Sequence, residues 1–362
     1  MYYMKRFDRN KARKRSFDTV VRAVATGIFV ASLLLNVVVL VLIVGAGAAL
    51  RMGKGSDRNR DGYSKVYLDD DSLRFREGRA HEIAVIRVEG FLSEFDRRDG
   101  LLDYVENPVD SVSAQLRLIR DDSMIRGVLL VIDSPGGTVT ASDVLYHRIN
   151  AFREETGIPV VTLMKQVAAS GGYYVASSSQ YIVAYPTSIV GSIGVIIGSF
   201  NFKELMDRYG VKYVMVKSGE HKGLLSPFGG VGDEDIAILQ RIVDDMLERF
   251  IDAVAAGRQN LTREEVTALA DGTIYIAKEA LTLGLVDEIG YFEDAVSALC
   301  SIASIGTPNV AEYRRSRGLK DMLGSMSARL LLRSFPQNSL PDVADPALGR
   351  FGIYYVLPHA VR

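Results

Sequence analysis

Val167-Ala168-Ala169-Ser170-Gly171-Gly172-Tyr173-Tyr174 places one hydroxyl among residues too small to hide it, and reads as a nucleophile at the start of a helix. Upstream, the apolar strand Gly127-Val-Leu-Leu-Val-Ile-Asp133 runs into Ser134-Pro135-Gly136-Gly137. The glycines of that turn leave backbone N–H groups able to face an oxyanion. Together the two stretches imply acyl transfer on an α/β scaffold.

Working outward, strand-like apolar runs recur at Ile83–Val88, Val128–Ile132, Val160–Leu163, Tyr181–Ala184 and Tyr213–Val216, with helical patterns between most of them. This alternation predicts a parallel sheet with crossover helices. A long amphipathic helix is predicted over Asp233 to about Ala256, where Ile236, Leu239, Ile242, Val243, Met246, Leu247 and Phe250 fall at helical spacing. Thr262 to Glu265 has the pattern of a capping box, and Ala277–Gly284 reads as a short helix ending at its glycine. Arg314–Arg333 alternates basic residues with Leu and Met and could form an amphipathic helix.

From Ala23 to Leu50 there is no charged residue. At about 1.5 Å per helical residue such a run crosses a bilayer core of roughly 30 Å. The preceding tail carries Lys5, Arg6, Arg9, Lys11, Arg13, Lys14, Arg15 and Arg22, which favours a cytoplasmic N-terminus. A cleaved signal peptide, with Ala46-Gly47-Ala48 as its small-residue site, is the alternative, but the apolar stretch is longer than such peptides use. The expected organisation is a basic cytoplasmic tail (1–22), a transmembrane signal anchor (23–50), a flexible tether (51–82), an exported catalytic domain (83–305) and a C-terminal extension (306–362).

Composition narrows the chemistry. With 362 residues and 48% hydrophobic content the chain can bury a sizeable core. Its 43 basic and 44 acidic residues balance to a net charge of −1, so nothing in its bulk charge points to nucleic acid. One cysteine, Cys300, and 4 scattered histidines exclude an intrachain disulfide and make a metal site a poor expectation. His81, His147, His221 and His359 are also poorly placed to serve a Ser-His triad. A Ser-Lys pair is the other known solution, provided the lysine is desolvated. Lys222, in the loop Lys217-Ser218-Gly219-Glu220-His221-Lys222-Gly223 beyond the Tyr213–Val216 run, is the preferred base, with Lys165 and Lys217 as rivals. Each piece has a bland counterpart: a tight turn for Gly136 and Gly137, a helix cap for Ser170, a loop hydroxyl for Ser192.

In combination these segments resemble a known family. Ser134-Pro-Gly-Gly137, Ala168-Ala-Ser-Gly-Gly-Tyr-Tyr174, Gly191-Ser192-Ile193-Gly194-Val195, Ser218-Gly-Glu-His-Lys222, Asp271-Gly272, Ala280-Leu281, Gly284-Leu-Val-Asp287 and Gly290 occur in the order and approximate spacing of the bacterial signal peptide peptidase (SppA) family, over roughly Ile83–Leu299. The resemblance implies an α/β fold of the Clp protease and crotonase superfamily, a spiral of β-β-α units, here preceded by a single transmembrane helix. It implies Ser170 as nucleophile, Lys222 as general base and Ser192 as the hydroxyl that orients the lysine. It also implies an oxyanion hole from Gly137, with Gly136 beside it, and the N–H of Gly171, and it requires no cofactor. His221 stands where the family more often has an aromatic residue.

One copy of the motif set matches the half-length members, which implies a homo-oligomer, an octameric ring in which neighbouring subunits supply Ser and Lys. The implied substrates are signal-peptide remnants and other short apolar peptides. The implied place is the bacterial cytoplasmic membrane, held through 23–50, with the catalytic domain on the extracytoplasmic side. Competing expectations are a membrane protease that processes one particular protein, a crotonase-like acyl-CoA enzyme, disfavoured by export, and a non-catalytic scaffold.

Overall fold

The computed structural model describes residues 62–68, 81–99, 103–315 and 354–356, together with Ser32. The architecture below is that of the unit Asn59–Arg362. The predicted membrane anchor 23–50 lies outside the described residues except for Ser32, as does the predicted amphipathic helix beyond Arg315. Among the described residues no helix is long and apolar enough to cross a membrane.

The sheet is built on three parallel strands, β2 (Glu82–Glu89), β5 (Ile125–Ser134) and β7 (Val160–Ala169). Both faces are covered, which is why these strands read as near-continuous apolar runs rather than as alternation. Ile83, Val85, Leu129, Val131, Val161 and Leu163 pack on one side with Ala295, Val296 and Leu299 of α8 (Phe292–Ala303). Ala84, Ile86, Val128, Leu130, Ile132 and Met164 belong to the larger core on the other side. That second face is covered by α1 (Pro108–Asp121), α2 (Val139–Thr156), the short α3 (Gly171–Ala176) and the C-terminal end of α5 (Asp233–Gly257).

Helix limits follow local chemistry. The Asn107 side chain accepts the Asp110 N–H ahead of Pro108 at the first helical position. Thr138 caps α2, which stops at Gly157 with φ 67°. The predicted Thr262/Glu265 capping box is present and opens α6 (Arg263–Leu269). Beyond it lie β10 (Ile274–Ile276), α7 (Ala277–Thr282) and β11 (Glu288–Ile289).

The sheet runs β1-β12-β2-β5-β7-β8-β11, where β1 is Tyr63–Tyr67, β8 is Tyr181–Ala184 and β12 is Asn309–Arg315. The fold is thus mixed α/β with a largely parallel sheet. Two expectations about its limits are corrected. Tyr63–Tyr67, within the expected tether, is an edge strand antiparallel to β12, and β12, within the expected extension, lies between β1 and β2. Lys65 joins these strands to α1 by ion pairs to Glu82 and, at 2.7 Å, to Asp122. Tyr313 and Tyr67 donate to the same two carboxylates at 2.6 and 2.9 Å.

A third correction concerns Tyr213–Val216, which forms no strand. A β-strand needs a neighbour to take up its backbone groups, and this run has none among the described residues. It belongs to a longer stretch, Gly194 to Arg249, in which no residue is buried.

Candidate active site

Strand β7 divides. Its first half, Val161–Met164, pairs with β8, and its second half, Val167–Ala169, pairs with β9 (Ile189–Gly191). Side chains fix the division: Asp133 accepts the Val167 N–H at 3.2 Å, and Ser188 donates to the carbonyls of Met164, at 2.9 Å, and Lys165. Because Ala169 is in register with Gly191, Ser170 and Ser192 leave the paired strands side by side. Both have positive φ, 52° and 51°, and both are buried, 1% and 5% exposed.

Ser170 combines its φ with a ψ of −120°, a conformation that costs an L-residue about 1–3 kcal/mol. Its N–H is held by the Gly191 carbonyl at 2.7 Å, and the Ser192 N–H by that of Thr273, also at 2.7 Å. The turn presents Ser170 Oγ at the start of α3, buried and without a hydrogen-bond partner. Such a group is expensive to keep unless a group beyond the described residues completes it.

Gly171 and Gly172 open α3, and their N–H groups belong to the first turn, where a helix has no internal acceptors. The α3 turn presses on the strand-end loop: a Cβ on Gly172 would sit 2.7 Å from the Ser134 carbonyl oxygen. The loop is locked from the other side as well. A Cβ on Gly137 would lie 2.0 Å from the Leu92 carbonyl oxygen, and Leu92 exchanges backbone hydrogen bonds with Gly136 and Thr138 at 2.9 Å each. Ser134 Oγ donates to the Gly90 carbonyl at 2.6 Å and accepts the Gly136 N–H at 3.1 Å. The Gly136 N–H, an expected oxyanion donor, is therefore already committed inside the turn. Gly136 itself has φ 106°, so its role there is conformational. Strand β6 (Gly136–Thr138) pairs antiparallel with β13 (Tyr354–Val356), in the register Tyr355 to Gly137.

The candidate bases are separated from this turn by their own contacts. Lys165 faces Asp133 at 3.7 Å, and Lys217 donates to the Glu220 carbonyl. Lys222 is exposed, in a series of tight turns where its N–H bonds to the Gly219 carbonyl at 3.1 Å. None of the three touches Ser170 Oγ, and among the described residues neither does a histidine. His221 pairs instead with Asp235 of α5, Nδ1 to Oδ1 at 2.9 Å. Among the described residues no group of three or more His, Cys, Asp or Glu side chains is placed to hold a metal ion. Sequence reasoning passed over Ser188 and the polar side chain of Ser134. Ser134 carries a signal, since it stands in the Ser-Pro-Gly-Gly turn. Ser188 carries none beyond a turn-rich neighbourhood.

Comparison with known proteins places the chain in a family. The model of peptidase family S49 matches residues 152–305, and that of the Clp proteases matches 103–189. A protein described as signal peptide peptidase SppA from Enterococcus faecium is 32% identical over 297 residues, 81% of this chain and 84% of that protein. A protein described as a protease from Synechocystis is 35% identical over 236 residues, covering 65% and 79% of the two chains. Protease 4 of Haemophilus influenzae is 32% identical over 250 residues, 68% of this chain but 39% of that protein.

Proposed function

The chain belongs to peptidase family S49 and is a serine peptidase, and from that premise we propose that Ser170 is its nucleophile and that a neighbouring copy of the chain supplies the base, Lys222. The observation that carries this reading is the mismatch between the two groups. Ser170 Oγ is buried, held in a costly conformation and unpartnered, whereas Lys222 stands exposed on a stretch that buries nothing. A hydroxyl needs a base within hydrogen-bond reach to attack at neutral pH, and a lysine needs desolvation to be that base. An interface between copies supplies both at once.

In this mechanism Ser170 Oγ bonds to the peptide carbonyl carbon as its proton passes to Lys222 Nζ. The carbonyl oxygen, now an oxyanion, is held by the N–H groups of Gly137 and Gly171, each donor worth several kcal/mol of barrier. Collapse breaks the C–N bond, and the leaving amine takes the proton back from Lys222. Lys222 then deprotonates a water that hydrolyses the acyl-Ser170 ester. Ser192, emerging beside Ser170, orients the lysine. The division of β7 between β8 and β9 fits the turn of a β-β-α spiral. An extended peptide is bound along β6, where it takes the place of residues 354–356.

The substrates are short apolar peptides, among them signal-peptide remnants, met at the extracytoplasmic face of a membrane in which residues 23–50 anchor the chain. The assembly is a closed ring, an octamer. The test is hydrolysis of a fluorogenic apolar peptide by the full chain in detergent, as wild type, Ser170→Ala, Lys222→Ala and an equal co-assembled mixture of the two variants. Each variant alone should lose at least about 10³-fold in kcat. In a randomly mixed ring, roughly a quarter of the sites pair an intact serine with an intact neighbouring lysine, and the mixture should recover that fraction. A mixture as inactive as its components would mean the two groups come from one chain.

A further inference from the structure

The loop that carries Lys222 has an unusual anchor. Residues Lys217 to Ser226 form consecutive turns: Lys222 N–H to Gly219, Gly223 and Leu224 N–H to the His221 carbonyl, and Ser226 N–H to Gly223. Two of these residues have positive φ, Gly223 at 145° and Leu225 at 63°. None of the loop's side chains is buried, so packing does not fix it. His221, immediately before Lys222, reaches out of the loop to the first turn of α5. Its Nδ1 lies 2.9 Å from Asp235 Oδ1 and its Nε2 3.9 Å from Glu234 Oε1. The His221 carbonyl, meanwhile, is the acceptor for the two residues that follow Lys222. One residue therefore ties the loop to a rigid 25-residue helix through its side chain and organises the turn around Lys222 through its backbone.

We propose that His221 and Asp235 are positioning residues for Lys222: protonated His221, clasped by Asp235, fixes the backbone from which the lysine projects. The proposal rests on the reading of Lys222 as the base. The charged groups that face the imidazole are Asp235 and Glu234 on α5 and Glu220 on its own loop, with Lys222 next to it and Lys217 near Asp235. The hydrogen bond to Asp235, helped by the three acids and only partly offset by desolvation, raises the His221 pKa above its ordinary value of about 6.5. The sign follows. A histidine with a raised folded pKa contributes its full clasp below the ordinary value, and loses it as pH rises through the raised one. The clasp thus holds the loop that carries the base most firmly on the acid side.

Two readouts test this in the full chain in detergent. Hydrogen exchange of the segment 217–226, corrected for intrinsic rates, should be faster in Asp235→Asn than in wild type at pH 6, with the difference shrinking by pH 9. This measurement needs no activity, so it stands even if the assignment of Lys222 fails. In peptide hydrolysis, Asp235→Asn and His221→Phe should each lower kcat about two- to five-fold at pH 6, the scale of an exposed ion pair, with KM unchanged. The ratio should approach one by pH 9, and the double variant should be no worse than either single. A pH-independent ratio, additive losses, or unchanged exchange would overturn the proposal. Full activity in Lys222→Ala would instead overturn the assignment of the base.

Discussion

At the scale of single residues, the site is a set of close approaches that only small side chains allow. Gly172 gives the sharpest case, since its Cβ position is 2.7 Å from a backbone oxygen of the turn that carries Gly137. Gly172→Ala must therefore push α3 and the Ser134–Thr138 turn apart. The expected result is a fall in kcat of about 10²-fold, since displacements of around 1 Å cost that much in a preorganised site, with a smaller change in KM. The melting temperature should fall as well, by the equivalent of about 1–3 kcal/mol of overpacking. A variant with wild-type kcat would show that the turn and the helix move independently. The small residues were legible in the sequence because small side chains around one hydroxyl form a local pattern. The engagement of the Gly136 N–H was not, because its acceptor is a side chain that turns back within the same motif, a question of rotamer rather than of spacing.

At the scale of elements, a buried charge ties the end of α5 to the segment 284–287 on which α3 rests. Arg258, 2% exposed at the end of α5, makes two 2.7 Å hydrogen bonds to Asp287 and one of 3.0 Å to the Gly284 carbonyl. Asp287 also accepts the Ile182 N–H of β8, and Tyr173 of α3 donates to the neighbouring Leu285 carbonyl at 2.8 Å. Removing Asp287 leaves the buried Arg258 charge without its counter-ion, whereas Asp287, 25% exposed and still bonded by the Ile182 N–H, is less dependent on Arg258. Asp287→Ala should cost about 3–5 kcal/mol, read as a lower denaturant midpoint, while Arg258→Met, which removes the charge itself, should cost less. Equal losses would mean that packing rather than charge dominates. The long elements here were legible from periodicity, α5 and the three central strands above all. β1 and β12 were not, because each is short and carries charges whose partners, Asp122 and Glu82 for Lys65 and Arg87 for Glu312, lie far away in sequence. Tyr213–Val216 failed in the opposite direction: local apolarity signals burial, but not whether the covering surface belongs to the same chain.

At the scale of the whole molecule, that uncovered stretch becomes the principal observation. Val216 is 96% exposed, Val214 81% and Phe200 76%, and they share the stretch with Phe202, Leu205, Tyr209, Val211, Tyr213 and Phe228. Apolar exposure on this scale marks an interaction surface. Since none of these residues contributes to the core, charging them should leave the fold intact and break only the proposed assembly. Val214→Glu combined with Val216→Lys is expected to sediment as a folded monomer with an unchanged far-UV spectrum and to lose peptide hydrolysis. If a neighbouring copy supplies the base as proposed, the specific activity of the wild type falls on dilution in step with dissociation. A charged variant that is monomeric yet fully active would place a complete site within one chain, and the exposed position of Lys222 would then have to reflect a closure of its loop rather than a neighbour.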